Sequence, residues 1–425
     1  MKWLSFKQTA SCFVFAGFIL SWSMFLFACD TAGSGDGKPD SSSFKVQTIS
    51  DNLPWSERVA LTTIKENPQS YMVDFQEKPK WNYTGGLVML AMQETWKRTG
   101  KEEYYAYAKS YADSLIDEEG NIHGGYSIYD FNIDHITPGR ILFPILERTG
   151  DKRYEKALGT LRQQLAWQPR TTDGGFWHKL RYPWQMWLDG LYMGAPFYAD
   201  YARRYGQPEA YDDIARQLIL METHSRDSKT GLLYHGWDES KIQLWANQES
   251  GHSPHFWGRA MGWYSMALVD VLDFFPQDHP QRQAIIDILN RLAAAVTPYQ
   301  DSDTGLWYQI VDQGTREGNY LEATVSSMFA YSLIKGVKKG YIDPKYRDVA
   351  TKAYQGIIDH LIKIGPNGEV IIQKCCSVAG LGGDPYRDGS YKYYVSEPVR
   401  DNDPKAVGPF ILASLELEEV KLTAR

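Results

Sequence analysis

The sequence predicts an all-α fold, an (α/α)6 toroid in which six helical pairs close into a ring with short strands in the loops. Three observations carry it. One amphipathic helix pattern recurs along the chain, a polar glycine turn with a short aromatic run follows each copy, and a more apolar helix pattern separates the copies. The period of roughly 50 to 70 residues with two helices per unit is that of a helical repeat.

Taken in order, a first helix is expected at Trp55–Glu66. The amphipathic copies are KEEYYAYAKSYADSLI from Lys101, KRYEKALGTLRQQLAW from Lys152, PEAYDDIARQLILME from Pro208, QRQAIIDILNRLAAAV from Gln281 and KYRDVATKAYQGIIDHLIK from Lys345. Their turns hold Gly120, Gly174, Gly231, Gly305 and Gly368. The apolar helices begin near Gly85, Thr137, Leu188, Gly258 and Thr324, and a last one is expected over Lys405–Glu418. An open solenoid is the competing architecture. Few charges on the apolar helices favour closure, with those helices inside and the amphipathic ones outside.

The N-terminus reads differently. Lys2 and Lys7 precede a charge-free apolar run, Ser11 to Phe27, which ends in Ala28-Cys29. This is the layout of a signal peptide, with the small-residue–Cys end of a bacterial lipoprotein. Residues 1–28 are therefore expected to be removed. Cys29 would carry lipid, residues 29–52 would be a flexible tether, and 53–425 the helical domain. The expected location is the periplasm or the cell surface, with the lipid as the sole membrane contact. A retained membrane helix is the alternative, because the run approaches the ~18 residues of a span. A net charge of −7 argues against nucleic acid as a partner. Cys375 and Cys376 are adjacent, a poor geometry for a disulfide. No metal motif such as HExxH occurs, and neither metal nor cofactor is expected.

In a closed ring the loops at one end surround a funnel, and residues opening the inner helices project into it. Three stretches qualify. In DFNIDHITPGR, Asp134, His135 and Arg140 open an apolar helix, and Asp134 reads equally as an N-cap. In GGFWHKLRYPWQMWLDGLYMG, Asp189 lies between Trp187 and Tyr192, and His178 lies upstream on a glycine turn. A carboxyl among rings is suited to general acid work, with an N-cap again the alternative. In YHGWDES and HSPHFWGRAMGW, His235, Trp237, His252, His255, Trp257, Arg259 and Trp263 fall close together. Arg259 and Trp263 are one helical turn apart, a guanidinium beside a ring able to hold a carboxylate while a sugar stacks. Fourteen Trp and 28 Tyr leave ample rings for sugar stacking, although large helical proteins also use rings as core.

At these blocks the sequence resembles the unsaturated rhamnogalacturonyl hydrolases of glycoside hydrolase family 105. The resemblance rests on FNIDHITPGR, GGFWHK, PWQMWLDGLYMG, YHGWDES and SPHFWGRAMGWYSMALVDVLD, and runs from about Leu53 to the C-terminus. It implies the (α/α)6 barrel and an oligosaccharide substrate ending in a 4-deoxy-4,5-unsaturated uronic acid, whose double bond is hydrated. On this pattern Asp189 is the acid and base, and Asp134 the second acidic residue, holding the sugar and raising the Asp189 pKa. His178, Trp187, His235, Arg259 and Trp263 fall on substrate-contacting positions, Trp257 is adjacent, and Trp81 and Tyr83 wall the pocket. The C-terminal SYKYYVSE loop would shape the pocket. Related specificities for ulvan, arabinogalactan or glycosaminoglycan ends compete with this reading. So do an inverting hydrolase with Asp134 as base, and a lipoprotein that binds glycans without turnover.

Overall fold

The structure, a computed structural model, describes residues 44–423. The expected signal peptide and Cys29 lie outside the described residues. Along the chain run α1 (Trp55–Glu66), α2 (Tyr83–Thr99), α3 (Glu102–Asp113), α4 (Leu142–Thr149), α5 (Lys152–Trp167), α6 (Leu188–Tyr205) and α7 (Ala210–Ser225). They are followed by α8 (Gly258–Leu272), α9 (Arg282–Val296), α10 (Ala323–Lys338), α11 (Tyr346–Leu361), the short α12 (Tyr391–Ser396) and α13 (Pro404–Thr423).

The apolar helices form the inner wall. α2 packs on a 3-10 segment, Ile133–Ile141, which runs on into α4. That segment packs on α6, α6 on α8, α8 on α10, α10 on α13, and α13 returns to α2. The ring is closed, and the open solenoid is ruled out. The amphipathic helices α3, α5, α7, α9 and α11 lie outside, each against an inner neighbour, and α1 packs on α13 and α2. Every residue of α8 is buried, so this helix offers no face to water.

Local chemistry sets the turns. α2, α4 and α6 each stop at a left-handed glycine (Gly100, Gly150, Gly206) whose N–H returns to a carbonyl of the last turn, the favoured glycine C-cap. The five repeat glycines all have positive φ. Gly368 shows why the repeat matters: an added Cβ would lie 2.0 Å from the Ile49 carbonyl oxygen. The Ile49 N–H also donates to Asn367 O, and Phe44 N–H to Pro68 O. Phe44 and Ile49 therefore hold this segment to the helical body, and a flexible tether extending to residue 52 is corrected for the described residues 44–52.

Two further expectations change. The second inner helix opens as 3-10 because Pro138 lacks an N–H and sits inside it. The strands are few, as expected, but they are not confined to the repeat turns. Of the strands only β3 (Ile362–Ile364) and β4 (Val370–Ile372) flank one, while single bridges (Ile116–Ile122, Arg170–Phe176, Arg226–Leu233) close the turns at Gly120, Gly174 and Gly231. β1 (Gln185–Trp187) pairs with β2 (Gly236–Asp238) at the ring's mouth, and β5 (Cys375–Cys376) pairs with β6 (Val399–Arg400).

Candidate active site

All six inner elements start at the same mouth. Their end turns, with Glu94, Arg204, Asp273 and Lys339, line a cavity at the other mouth. Aligned helix N-termini carry partial positive charge, which makes the first mouth hospitable to an anionic sugar despite the acidic body.

Asp189 is the second residue of α6. It does not cap that helix, since the N-cap is Trp187 and no side chain accepts there. The β1–β2 ribbon fixes its neighbour. Trp187 stands opposite Gly236, and the Leu188 N–H donates to His235 O at 3.0 Å. His235 is thereby held with Nε2 3.3 Å from Asp189 Oδ2. The two atoms are close but not aligned, and each is buried without a hydrogen-bond partner. On its other side, His235 Nδ1 lies 2.7 Å from the hydroxyl of Tyr394.

Trp187 sits in a stack. Its ring lies 4.4 Å from His178 and 4.9 Å from Tyr182, both nearly parallel, and meets His235 edge-on at 5.3 Å. Gly190, one residue after Asp189, permits this closeness: a Cβ there would be 2.9 Å from His178 Nδ1. Burial pushes the His178 pKa down to about 3, against the pull of Asp134, so the ring is neutral. Its Nε2 lies 3.5 Å from Asp134 Oδ1.

Asp134 is also not a cap. The cap is Asn132, whose side chain accepts from the Asp134 N–H. The Asp134 carboxylate takes the ammonium of Lys179 at 2.5 Å. Burial alone would raise its pKa, but Lys179 and then His178 outweigh it and hold it below the usual carboxylate range. The two carboxylates therefore differ: Asp134 is committed to a cation, and Asp189 is not.

Arg259 opens α8 and is buried. Its Nη1 donates to the Cys376 carbonyl at 2.5 Å and its guanidinium covers the ring of Trp257 at 4.7 Å. The expected Arg259–Trp263 pairing is thus corrected to Arg259–Trp257. Helical spacing points only to Trp263, but Trp257 lies just outside the helix, in extended backbone at the N-cap, and its ring turns back under the guanidinium. Trp263 instead stacks on Tyr192 at 4.9 Å and meets Tyr83 edge-on at 6.0 Å. Tyr83 is half-buried, and both Arg259 and Asp134 act on its hydroxyl electrostatically. Trp81 is almost wholly buried and spends its indole N–H on His135 O, so it supports the wall from behind. Arg140 leaves the group: it donates to Asp270 at the opposite mouth. Trp237 and His252 also turn aside. Trp237 stacks on His224, and His252 on Tyr234.

Sequence reasoning missed three contributors. Lys179 follows His178 directly in the GGFWHK block, and its charge was the available signal. Tyr394 lies 159 residues from its partner His235, a pairing that no spacing rule reaches. Glu322, buried, accepts from the Cys376 N–H and so braces the strand that receives Arg259. Both Cys375 and Cys376 are buried free thiols.

A model of Glycosyl Hydrolase Family 88 matches residues 55–421. The solved structure of a family 105 glycoside hydrolase from C. acetobutylicum is 44% identical, with a TM-score of 0.83; the match covers 86% of this chain and 100% of that one. Protein Atu3128 of Agrobacterium fabrum is 37% identical over 230 residues, 53% of this chain and 97% of its own length. The unsaturated rhamnogalacturonyl hydrolase YesR of Bacillus subtilis is 27% identical over 271 residues, 62% of this chain and 73% of its own.

Proposed function

The chain belongs to glycosyl hydrolase family 88, and from that premise we propose that it removes a 4-deoxy-4,5-unsaturated uronic acid from the non-reducing end of lyase-cut rhamnogalacturonan oligosaccharides. The similarity to YesR and to the family 105 structure supports this substrate class. The observation that carries the mechanism is the unequal state of the two carboxylates. A conventional glycosidase needs two working carboxyl groups across the bond. Here Asp134 is neutralised by Lys179, while Asp189 has an unpartnered oxygen beside His235.

One free carboxyl suits hydration of an alkene. The protonated Asp189 gives its proton to C4. Positive charge develops at C5, where the ring oxygen shares it. Water adds at C5 and passes a proton back to Asp189, which ends the cycle as it began. The resulting hemiketal opens and the rest of the chain leaves. Asp134, with its charge offset by Lys179, holds a sugar hydroxyl; it is not a second base. Trp187, Trp263 and Tyr83 wall the sugar, His178 approaches its edge, and the fully buried His235 stands behind Asp189. Arg259, together with the helix N-termini, supplies positive potential for the uronate.

The test is loss of the ultraviolet absorbance of the conjugated alkene on lyase digests of rhamnogalacturonan, ulvan, arabinogalactan and glycosaminoglycan. Fastest loss on rhamnogalacturonan is expected. Fastest loss on another digest reassigns the substrate, and cleavage of saturated chains with the absorbance intact removes the hydration mechanism.

We also propose that the protein is exported and lipidated at Cys29, on the basic start and apolar run that precede Ala28-Cys29. Mass spectrometry of the mature N-terminus decides it: an unmodified N-terminus, or one not at Cys29, contradicts the anchor.

A further inference from the structure

Behind Asp189 a buried file of side chains leads away from the substrate. Asp189 Oδ2 faces His235 Nε2 at 3.3 Å, and His235 Nδ1 faces the Tyr394 hydroxyl at 2.7 Å. His235 and Tyr394 are both fully buried. Tyr394 is fixed from several sides. Ser390 caps α12 by accepting from the Tyr393 N–H, and the Tyr394 carbonyl accepts from Gln309 at 3.2 Å. Its ring stacks on Trp257 at 5.8 Å.

A neutral imidazole carries one ring proton, and the hydrogen bond at one nitrogen decides where it sits. The hydrogen-bond partner of the Tyr394 hydroxyl among the described residues is His235 Nδ1. Among the described residues no carbonyl or carboxylate takes its hydrogen, so an Nδ1–H donor would leave the buried phenol hydrogen without a partner; the arrangement that avoids this cost has the hydroxyl donating and Nδ1 accepting. The ring proton is then on Nε2, facing Asp189. Burial raises the phenol pKa well above its ordinary value, which keeps that donor protonated.

We propose that Tyr394 is a positioning residue that locks His235 as the Nε2–H tautomer, so that a neutral N–H donor meets the Asp189 carboxylate formed when the proton leaves for substrate. The opposite tautomer would put a lone pair against that new negative charge. At 3.3 Å the Nε2–Oδ2 contact is long and unaligned, and it tightens as Asp189 gains negative charge. The other titratable and charged groups around this file are Asp134, His178 and Lys179 on the sugar side, and Tyr393, Arg387, Asp388 and His255 around Tyr394. The inference rests on Asp189 being the acid of the proposed reaction.

Two measurements test it. The first is nitrogen-15 NMR of histidine-labelled full-length protein, with the His235 signals assigned by their loss in His235→Gln. Nε2 should be protonated and Nδ1 a hydrogen-bonded lone pair; a protonated Nδ1, in a neutral or a charged ring, overturns the proposal. The second is Tyr394→Phe. Loss of one hydrogen bond in the file should lower kcat about ten- to hundred-fold with KM nearly unchanged. Asp189 would lose a donor to its anion, so its protonated form would persist to higher pH and the alkaline limb of the kcat profile should move up. Equal losses in kcat and KM with that limb unmoved would mean a purely structural role. The NMR readout needs no turnover, so failure of the absorbance assay removes the proposed substrate and leaves the tautomer question separately answered.

Discussion

At the mouth where the inner helices begin, Asp189 Oδ2, His235 Nε2, His178 Nδ1, Trp257 Nε1 and Arg259 Nε are all buried without hydrogen-bond partners. At the mouth where they end, Asp270 accepts from Arg140 at 2.9 Å and from Lys335 and Tyr331 at 2.7 Å each, and Lys335 also reaches Asp273. Arg140 Nη1 is the exception in this second group. The second mouth also holds a cavity of about 590 Å3. The placement of charge follows the helix dipoles: basic residues such as Arg203, Arg204 and Lys335 occupy last turns, where the partial charge is negative. Saturated buried charge stabilises a fold, whereas unsaturated buried polar atoms in a cluster await a ligand.

If that contrast is right, equivalent substitutions at the two mouths should have opposite signatures. Asp189→Asn should lower kcat by about a thousand-fold, in the range of a lost general acid, with the melting temperature nearly unchanged. Stopped absorbance assays and a thermal melt check it, and retained turnover would take Asp189 out of its role. Asp270→Ala leaves Arg140 and Lys335 buried without their carboxylate. It should cost about 3 to 5 kcal/mol of stability, read from urea unfolding, with kcat of the folded enzyme close to wild type. A collapse of kcat without loss of stability would mean that the far mouth serves catalysis.

A smaller difference should appear with pH. His178 is held neutral in the fold, with its pKa lowered to about 3, while an unfolded histidine titrates near about 6.5. The unfolded chain thus gains a proton first as pH falls, and the contribution of His178 is full above about 6.5 and lost progressively down to about 3. Asp270 is lowered to about 2: burial opposes the shift, and Lys335 and Arg140 more than offset it. Its contribution is present above the unfolded value of about 3.9 and is lost between there and about 2. Unfolding free energy measured between pH 7 and pH 4 should therefore slope downward, and less steeply in His178→Gln. An identical slope in that variant would assign the pH dependence elsewhere.

Much of this was legible without coordinates. Trp55–Glu66 begins and ends where helical periodicity puts it, and the repeat glycines sit in left-handed turns as read, because both signals are local. Asp189 was legible as well, since its setting between Trp187 and Tyr192 is written in consecutive residues. The partner of Arg259 was not. Trp263 lies one turn along the same helix, but Trp257 sits outside it at the extended N-cap, and the guanidinium goes to Trp257 where it also meets the Cys375–Cys376 strand. The state of Asp134 was not legible either, because Lys179 reaches it across a loop 45 residues away in sequence.

The sequence by itself determined the helical ring, the mouth where the candidate residues gather and the carboxyl at the tip of α6. Periodicity, turn glycines and helix polarity act within a few residues. Only the tertiary structure decided which carboxylate is neutralised, which nitrogen of His235 faces Asp189 and which hydroxyl stands behind it. Those outcomes depend on atoms brought within 2.5 to 3.5 Å by ring closure, from stretches of chain that carry no mark of one another.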